Sequence, residues 1–244
     1  MQGEGINAGS PAVFLRLAIC NMHCWFCDTK YTWLFSELLA QTVESDLKRL
    51  GMKEVPSDLI VYDPEKEVQM MDIDRVESEI IKHNRSHLVL TGGEPLLQQK
   101  ALVPLLLRLR SSVNKFYVEV ETSGTVKPIR EIHGLIDQWN VSPKLESSGN
   151  TKENRDKPEC MRFFSGLPSS YFKFVVQTQG DLSEIDALVR TYNLDPKKII
   201  LMPEGTTKDS LETRGSWLSR VCADKGYRFT TRLHILLWGN KRGT

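Results

Sequence analysis

Three cysteines lie close together near the start of the chain, at Cys20, Cys24 and Cys27. Cysteine thiolates bind zinc and iron-sulfur clusters. Three ligands leave one coordination position open, whereas a structural zinc site is normally closed by four. His23 is the candidate for a fourth zinc ligand, but it is adjacent to Cys24, and neighbouring loop residues point in different directions. The spacing therefore favours an iron-sulfur cluster over zinc.

The other two cysteines and the N-terminal residues indicate the cellular compartment of the protein. Cys160 and Cys222 stand alone, so they are interpreted as ordinary thiols, and a total of five cysteines is not a disulfide framework. Crowded thiols are typical of a reducing compartment. No basic and apolar export signal is found at the N-terminus, so we expect a cytoplasmic location.

Charge and hydropathy exclude two classes of partner. The 244 residues include 32 Lys or Arg and 31 Asp or Glu, a net charge of +1. That balance gives no electrostatic reason to expect a nucleic acid or an anionic membrane surface as partner. Apolar stretches such as residues 101–107 fall far short of the roughly 18 residues that a membrane span requires. We expect a globular chain that binds neither.

Apolar segments with strand character alternate with segments of helical spacing. Alternation of this kind predicts βαβ units and a parallel sheet in one domain over residues 1–244. The predicted strands lie near residues 12–18, 87–90, 116–120, 139–141, 171–177, 199–202 and 228–234. Asp72 is the predicted cap of a helix, and a second helix is predicted to run through Leu182 to Tyr192.

Residues 34–67 interrupt this alternation. The segment contains a predicted helix over Phe35 to Leu50, which Gly51 ends, and then a polar stretch with two prolines. We interpret it as an insertion that lies over one face of the sheet.

Polar, glycine-rich clusters follow the predicted strands. Because the carboxyl ends of parallel strands meet on one face of a barrel or open sheet, these clusters predict a single site there. They are residues 20–29, 91–95, 121–124, 142–144, 177–180 and 203–205.

Two motifs resemble the radical S-adenosylmethionine superfamily. They are the spacing of Cys20, Cys24 and Cys27, with Phe26 before the last cysteine, and the run from Gly92 to Pro95. The resemblance implies a 4Fe-4S cluster held by the three cysteines, with S-adenosylmethionine on the fourth iron. Reductive cleavage of that cofactor yields a 5′-deoxyadenosyl radical. Glycines 92 and 93 are implied to meet the methionine amino group, since glycine permits close backbone approach.

A narrower resemblance, to the 7-carboxy-7-deazaguanine synthase family, covers most of the chain. The shared motifs are residues 2–5, Gly9, Pro11, Arg16, Leu17, residues 27–33, 121–125, 142–144 and the tail 233–244. The fold it implies is α/β, a modified, incomplete (βα)6-type TIM barrel with a parallel sheet around a radical S-adenosylmethionine core. The implied enzyme is a carbon-nitrogen lyase of queuosine and deazapurine biosynthesis. It converts 6-carboxy-5,6,7,8-tetrahydropterin into 7-carboxy-7-deazaguanine with loss of ammonia.

The resemblance also implies a set of site residues. Substrate contacts are implied for Met1, Gln2, Gly3, Arg16, Thr91 and Thr244. Contacts with S-adenosylmethionine are implied for Phe26, Asp28, Gly92, Gly93, Glu94, Ser123, Ser142, Lys144 and Gln177. Thr29 matches a threonine that binds Mg²⁺, a role that suits a hydroxyl oxygen.

Arg16 has a physical reason to be functional. It lies among apolar neighbours on the first predicted strand, where an unpaired charge is costly, so it requires an anionic partner. A guanidinium binds a carboxylate bidentately, and the substrate carboxylate fits. The alternative is an internal salt bridge with Glu4 or Glu121.

Two other functions remain open. One is an activase that abstracts hydrogen from a glycine of a partner protein, which shares the cysteine spacing but does not need Arg16. The other is a zinc-stabilised binding module without enzymatic activity. For the enzyme, an electron donor such as flavodoxin or ferredoxin is expected, and a homodimer is possible.

Overall fold

The computed structural model describes residues 1–57, 59–112 and 115–243. Its centre is one seven-stranded sheet in which every strand is parallel to its neighbours and sequence order is also spatial order. The predicted parallel α/β architecture is therefore confirmed. The strands are β1 (Val13–Leu17), β2 (His87–Gly92), β3 (Tyr117–Thr122), β4 (Gln138–Val141), β5 (Ser170–Val176), β6 (Ile199–Pro203) and β7 (Arg228–Phe229).

The helices of the described residues are α1 (Glu37–Arg49), α2 (Pro64–Glu67), α3 (Ile73–Lys82), α4 (Gln99–Ser111), α5 (Arg130–His133), α6 (Lys152–Arg155), α7 (Pro158–Ser165), α8 (Asp181–Tyr192), α9 (Lys208–Lys225) and α10 (Leu233–Trp238). Helices α3, α4, α5, α7, α8 and α9 pack on one face of this sheet. The predicted cap of α3 is confirmed, because Asp72 accepts a hydrogen bond of 2.8 Å from the backbone N–H of Arg75. None of these helices combines the length and apolarity needed to cross a membrane.

Alternation along the strands separates the core from the site. Val118 and Val120 of β3 are fully buried in the main apolar cluster with residues of α4, α8 and α9. The residues between and after them, Glu119 and Glu121, point to the other face, since side chains alternate along a strand. The helix-covered face is therefore the apolar core, and the opposite face carries the acidic side chains of β3 among apolar residues such as Val89 and Met202.

The insertion packs on the cysteine loop, residues 20–29. Val43 and Leu47 of α1 form a second apolar cluster with Trp33, and the partly buried Cys20 and Cys27 pack against it. No strand residue belongs to this cluster. The apolar side of α1 is thus directed toward the cysteine loop, and the placement of the segment over a sheet face stays a prediction.

The N-terminal segment, residues 2–10, is held by the residues that follow β7. The backbone N–H of Gly5 donates to Oγ1 of Thr230 over 3.0 Å, and that of Leu233 donates to the carbonyl of Gly3 over 2.8 Å. The strand predicted over 228–234 consequently ends at Phe229, because the chain beyond it turns to bond the N-terminal segment.

Candidate functional site

A cavity of about 630 Å³ opens at the carboxyl ends of the strands. Sixteen of the predicted site residues line it: Met1, Gln2, Gly3, Arg16, Cys20, Cys24, Phe26, Cys27, Asp28, Thr29, Thr91, Gly92, Gly93, Ser123, Ser142 and Lys144. Two do not, Glu94 and Gln177, and Thr244 lies outside the described residues. Segments distant in sequence thus meet at one face of the sheet, as the glycine-rich clusters predict.

The three cysteines share one wall of the cavity, and His23 is not on that wall. The His23 ring instead packs on Trp33, with ring centroids 5.3 Å apart. Within the described ranges, no three His, Cys, Asp or Glu side chains are placed to hold a single metal ion. In a cubane each thiolate binds a different iron, so three cysteines on one wall without the His23 ring suit a 4Fe-4S cluster better than a zinc site closed by four ligands.

Cys24 is buried, Cys20 and Cys27 are partly buried, and all three sulfurs receive hydrogen bonds. The Asn150 amide donates to Sγ of Cys24 over 3.1 Å, and the indole N–H of Trp33 donates to Sγ of Cys27 over 3.4 Å. The backbone N–H of Met22 donates to Cys20 over 3.4 Å. Burial raises the pKa of the Cys24 thiol to about 11 and raises that of Cys20 as well. A metal must displace these protons, so binding couples to proton release.

Residues 147–150 form a ledge that holds the cysteine loop. The indole N–H of Trp25 donates to the carbonyl of Ser147 over 2.8 Å, and the backbone N–H of His23 donates to Oδ1 of Asn150 over 2.8 Å. Gln177 also bonds the ledge, because its amide donates to the same Ser147 carbonyl over 2.9 Å. Gln177 thus lies outside the cavity wall, bonded to the segment that positions the cysteine loop.

Gly92 and Gly93 bring β2 against the start of the cysteine loop. A Cβ on Gly92 would lie 2.2 Å from the carbonyl oxygen of Leu17, and one on Gly93 would lie 2.0 Å from that of Ile19. Gly92 also has φ +119°, which L side chains rarely adopt. Both positions require glycine for contact with the protein's own backbone, and both remain on the cavity wall.

Glu94 is fully buried and anchors the loop after β3. One carboxylate oxygen accepts from the hydroxyl of Thr122 over 2.8 Å, and the other accepts from the backbone N–H and the hydroxyl of Ser123 over 2.8 and 2.6 Å. With these bonds made, the carboxylate faces the loop and not the cavity. The loop that carries Ser123 is thereby fixed to the Gly92–Pro95 motif.

Arg16 is exposed on the cavity wall, and it forms no ion pair with any described residue. The two carboxylates considered as internal partners are otherwise engaged. Glu4 pairs with Lys173 and Arg232, while Glu121 accepts from Thr91 over 2.7 Å. The guanidinium of Arg16 is therefore available to an anion that enters the cavity.

An ionic network centred on the buried Arg232 and Lys173 joins the N-terminal segment to the exposed Asp28 of the cysteine loop. Arg232 donates through Nε to Glu4 over 3.0 Å and through Nη2 to Asp28, and Lys173 donates to the second oxygen of Glu4. Burial alone would raise the pKa of the Glu4 carboxyl, but Lys173 and Arg232 outweigh it and hold this pKa below its usual range. Asp28, predicted to contact the cofactor, is thus also the partner of Arg232.

Sequence reasoning missed Asn150, Trp33 and Arg232 as site residues. Trp33 lies within a motif of the resemblance, so its position was a signal to which no role was attached. Arg232 directly precedes the tail motif, and an arginine predicted at the end of a buried strand requires an anion. Asn150 offers no sequence signal, since asparagine in a polar loop is ordinary.

The tail covers part of the cavity. Residues 240–243 line its wall, and the guanidinium of Arg242 lies 3.8 Å from the ring centroid of Tyr31. Arg242 also pairs with Glu67 of α2 at 2.9 Å. The His234 ring lies against Gly3, where a Cβ would approach it to 2.1 Å.

Comparison with known proteins finds relatives that match most or all of this chain. A family model described as a 4Fe-4S single cluster domain matches residues 1–156. Proteins named 7-carboxy-7-deazaguanine synthase from Pyrobaculum aerophilum and Rhodopirellula baltica are 35% and 33% identical over all of this chain, covering 93% and 85% of their own lengths. The one from Halobacterium salinarum is 33% identical over 98% of this chain and 88% of its own.

A solved structure shares the fold. Streptococcus suis SuiB bound to S-adenosylmethionine superposes with a TM-score of 0.53 at 11% identity, over 90% of this chain and 49% of SuiB. This chain spans about half the length of SuiB, and the likeness concerns the fold alone.

Proposed function

The chain belongs to the 7-carboxy-7-deazaguanine synthase family, and from that premise we propose that it converts 6-carboxy-5,6,7,8-tetrahydropterin into 7-carboxy-7-deazaguanine with loss of ammonia. When bound, a 4Fe-4S cluster and S-adenosylmethionine supply the radical that abstracts hydrogen from the substrate. The residues of this chain hold and orient the reactants.

One observation carries the proposal: three cysteine thiols and the unpaired guanidinium of Arg16 line the same cavity. A cavity of about 630 Å³ lies within the range of small-molecule sites. Arg16 supplies a bidentate site for the carboxylate of a small substrate. An activase has no use for that cation, and its protein substrate would have to enter where residues 240–243 cover the wall.

The substrate end of the cavity presents hydrogen-bonding groups at fixed positions. Thr91 is held by Glu121, and Gln2 is held by Glu119 over 2.5 Å and by Glu121 over 3.2 Å. Because these side chains are already bonded to one another, their remaining donors and acceptors are oriented before a ligand arrives. We assign the polar edge of the pterin to them, together with Met1, Gly3 and Thr244.

The cofactor end contains the other predicted residues. We assign S-adenosylmethionine to the wall formed by Phe26, Asp28, Gly92, Gly93, Ser123, Ser142 and Lys144. Lys144 donates to the carbonyl and hydroxyl oxygens of Ser142 over 2.9 and 3.0 Å, which fixes its ammonium at the wall. Glu94 and Gln177 do not line the cavity, and we assign to them the support of the loops that they bond.

Thr29 is the proposed Mg²⁺ ligand. Its hydroxyl lies on the cavity wall, 3.4 Å from Sγ of Cys27. A hydroxyl that donates its proton to the sulfur retains lone pairs for a hard cation, whose other ligands would be water and substrate oxygens.

The remaining expectations concern the setting of the enzyme. We propose that the chain acts as one domain in a reducing cytoplasm, accepts electrons from a donor such as flavodoxin or ferredoxin, and forms a homodimer. The free thiols among the described cysteines are consistent with the reducing compartment.

Anaerobic reconstitution tests the proposal. Protein loaded with iron and sulfide, then given S-adenosylmethionine, reductant and the tetrahydropterin, should form 7-carboxy-7-deazaguanine by mass spectrometry. Cys24→Ala should lose iron, while Cys160→Ala, which removes a core thiol that does not line the cavity, should retain it. Iron-loaded protein that forms no deazapurine would reject the reaction, and protein that binds zinc but no iron would favour the binding module.

A further inference from the structure

The hydrogen bonds to the cysteine sulfurs have a role beyond holding the loop. We propose that the side-chain N–H groups of Asn150 and Trp33 set the reduction potential of the bound cluster, raising it so that the electron donor can reduce it. The inference rests on the proposed function, because it requires that Cys24 and Cys27 hold the cluster.

Both donors are buried and aimed at sulfur. Asn150 is 3% exposed and Trp33 is 4% exposed. In the part of the chain that the structure describes, the indole N–H of Trp33 has no hydrogen-bond acceptor other than Sγ of Cys27, at 3.4 Å. An indole N–H seldom stays unpaired when buried, so its orientation toward the thiolate is fixed by the packing of the second apolar cluster.

The Asn150 amide is oriented at both ends. Its Oδ1 accepts from the backbone N–H of His23 over 2.8 Å, and its Nδ2 donates to Ser148 Oγ and to Cys24 Sγ, each over 3.1 Å. The amide cannot flip without placing its oxygen against sulfur and its N–H₂ against another N–H. The donor to Cys24 is therefore specified by its surroundings.

The direction of the effect follows from charge. Reduction adds an electron to the cluster, and part of that negative charge resides on the thiolate sulfurs. An N–H group pointed at sulfur stabilises the reduced form more than the oxidised form, and hydrogen bonds to sulfur are one of the known determinants of cluster potential. Removing a donor should therefore lower the midpoint potential and make reduction harder.

Two donor variants and two matched controls separate an effect on the reduction potential from a loss of the hydrogen bonds that hold the cysteine loop. Trp33→Phe removes the N–H to Cys27, and its control Trp25→Phe removes an indole N–H of the cysteine loop that bonds the Ser147 carbonyl of the ledge and no sulfur. Asn150→Leu removes the amide that bonds Cys24, and Gln177→Leu removes an amide that supports the same ledge without touching sulfur.

Redox titration of the reconstituted proteins, followed by electron paramagnetic resonance, measures the potentials. We expect each donor variant to shift the reduction equilibrium about tenfold, which is ~59 mV for a one-electron couple. The controls should remain at the wild-type potential. In D₂O, pulsed spectra of the reduced cluster should lose the exchangeable deuteron coupling of the removed donor in each donor variant and keep all couplings in the controls.

The outcomes are distinct. Equal shifts in donors and controls, or no shift in a donor variant that retains full iron, would overturn the inference while leaving the proposed function intact. Wild-type protein that takes up no iron and sulfide would instead remove the proposed function. Two independent donor variants keep the test valid if one of them fails to fold.

Discussion

The guanidinium of Arg232 lies between Glu4 and Asp28, bonding the N-terminal segment with one nitrogen and the cysteine loop with another. Its third nitrogen donates to the carbonyl of Gly205 over 2.8 Å. A single side chain that follows β7 thus holds together two segments of the cavity wall that are more than 20 residues apart in sequence. The cysteine loop is held by this contact on one side and by the ledge on the other.

Replacing Arg232 should destabilise the fold. Arg232→Met leaves Glu4 buried with Lys173 alone and releases Asp28, and breaking a buried ionic network by removing one partner costs about 3 kcal/mol. Urea unfolding measures the loss. Arg108→Gln, which removes an exposed cation that pairs with Asp74 and Glu77, is the control and should leave the unfolding midpoint unchanged. Similar effects of the two variants would contradict the network's importance.

The same network predicts acid sensitivity. Lys173 and Arg232 overcome the effect of burial and hold the pKa of Glu4 below its ordinary value of 4.5. A carboxyl whose pKa is lowered by folding contributes stability that is fully present above its unfolded-state pKa of 4.5. That contribution is lost as the pH falls from there through the folded-state pKa. Glu4→Gln should therefore be less stable than wild type at pH 7, and its stability should fall less steeply below pH 4.5.

Salt distinguishes this contribution from those of the surface. The contribution of Glu4 should persist in 0.5 M salt, because a buried pair is little screened. Glu159 pairs with Lys127 at the surface, so any effect of Glu159→Gln should disappear in the same salt. Parallel loss of both contributions would show that Glu4 is solvated.

Glycine at position 92 should be essential for folding of the site. In Gly92→Ala the new methyl group meets the backbone of Leu17 at 2.2 Å, at a φ of +119°, and such overpacking costs about 3 kcal/mol. We expect lower thermal stability and loss of iron uptake. Gly134→Ala is the control, since no atom lies within 4 Å of its added Cβ. Normal iron uptake by Gly92→Ala would show that the end of β2 can move away from Leu17 of β1 without loss of the site.

Local features of the fold were predictable because local chemistry determines them. Asp72 caps α3 with its own side chain, and Gly51 follows the end of α1 with φ +76°. The cysteines and glycines 92 and 93 were also predictable, because short contiguous motifs carry their chemistry. For Asp72 and Gly51 the determining contacts are made within a few residues along the chain, whereas glycines 92 and 93 are recognisable by their motif although they contact the distant Leu17 and Ile19.

Features that depend on distant contacts were not predictable. Arg232 and Glu4 are separated by 228 positions, and Asn150 and Cys24 by 126. No periodicity reports such pairings. Glu94 shows the same limit, because its motif placed it at the cavity, whereas packing of the loop after β3 turned its carboxylate away. Burial of a polar group depends on which donors the fold assembles around it.

Ile19 occupies a strained backbone conformation beside the first cysteine. It has φ +74° and is 58% exposed, and a β-branched residue in the left-handed region costs about 1 kcal/mol. Its backbone is held there by a hydrogen bond of 2.7 Å to Thr32 and one of 2.9 Å from Glu94. Ile19→Asn should therefore raise the free energy of unfolding by about 1 kcal/mol. Chemical denaturation measures it, and Asn193→Ile, at φ +49° after α8, should show the opposite sign.

Arg16 should determine affinity for the carboxylate of the substrate. Its guanidinium has no ionic partner in the described residues, so a bound carboxylate gains a charge-assisted bidentate contact of about 2 kcal/mol. Arg16→Gln should raise KM for the 6-carboxy substrate roughly 30-fold, by the equivalence of 1.4 kcal/mol to a factor of ten. Iron content and the reduction potential should not change. A tetrahydropterin with a 6-methyl group in place of the carboxylate supplies the matched comparison, because it should bind both proteins equally weakly. If Arg16→Gln weakened the two ligands by the same factor, the guanidinium would be acting on the pterin ring or on the cavity wall, and not on the carboxylate.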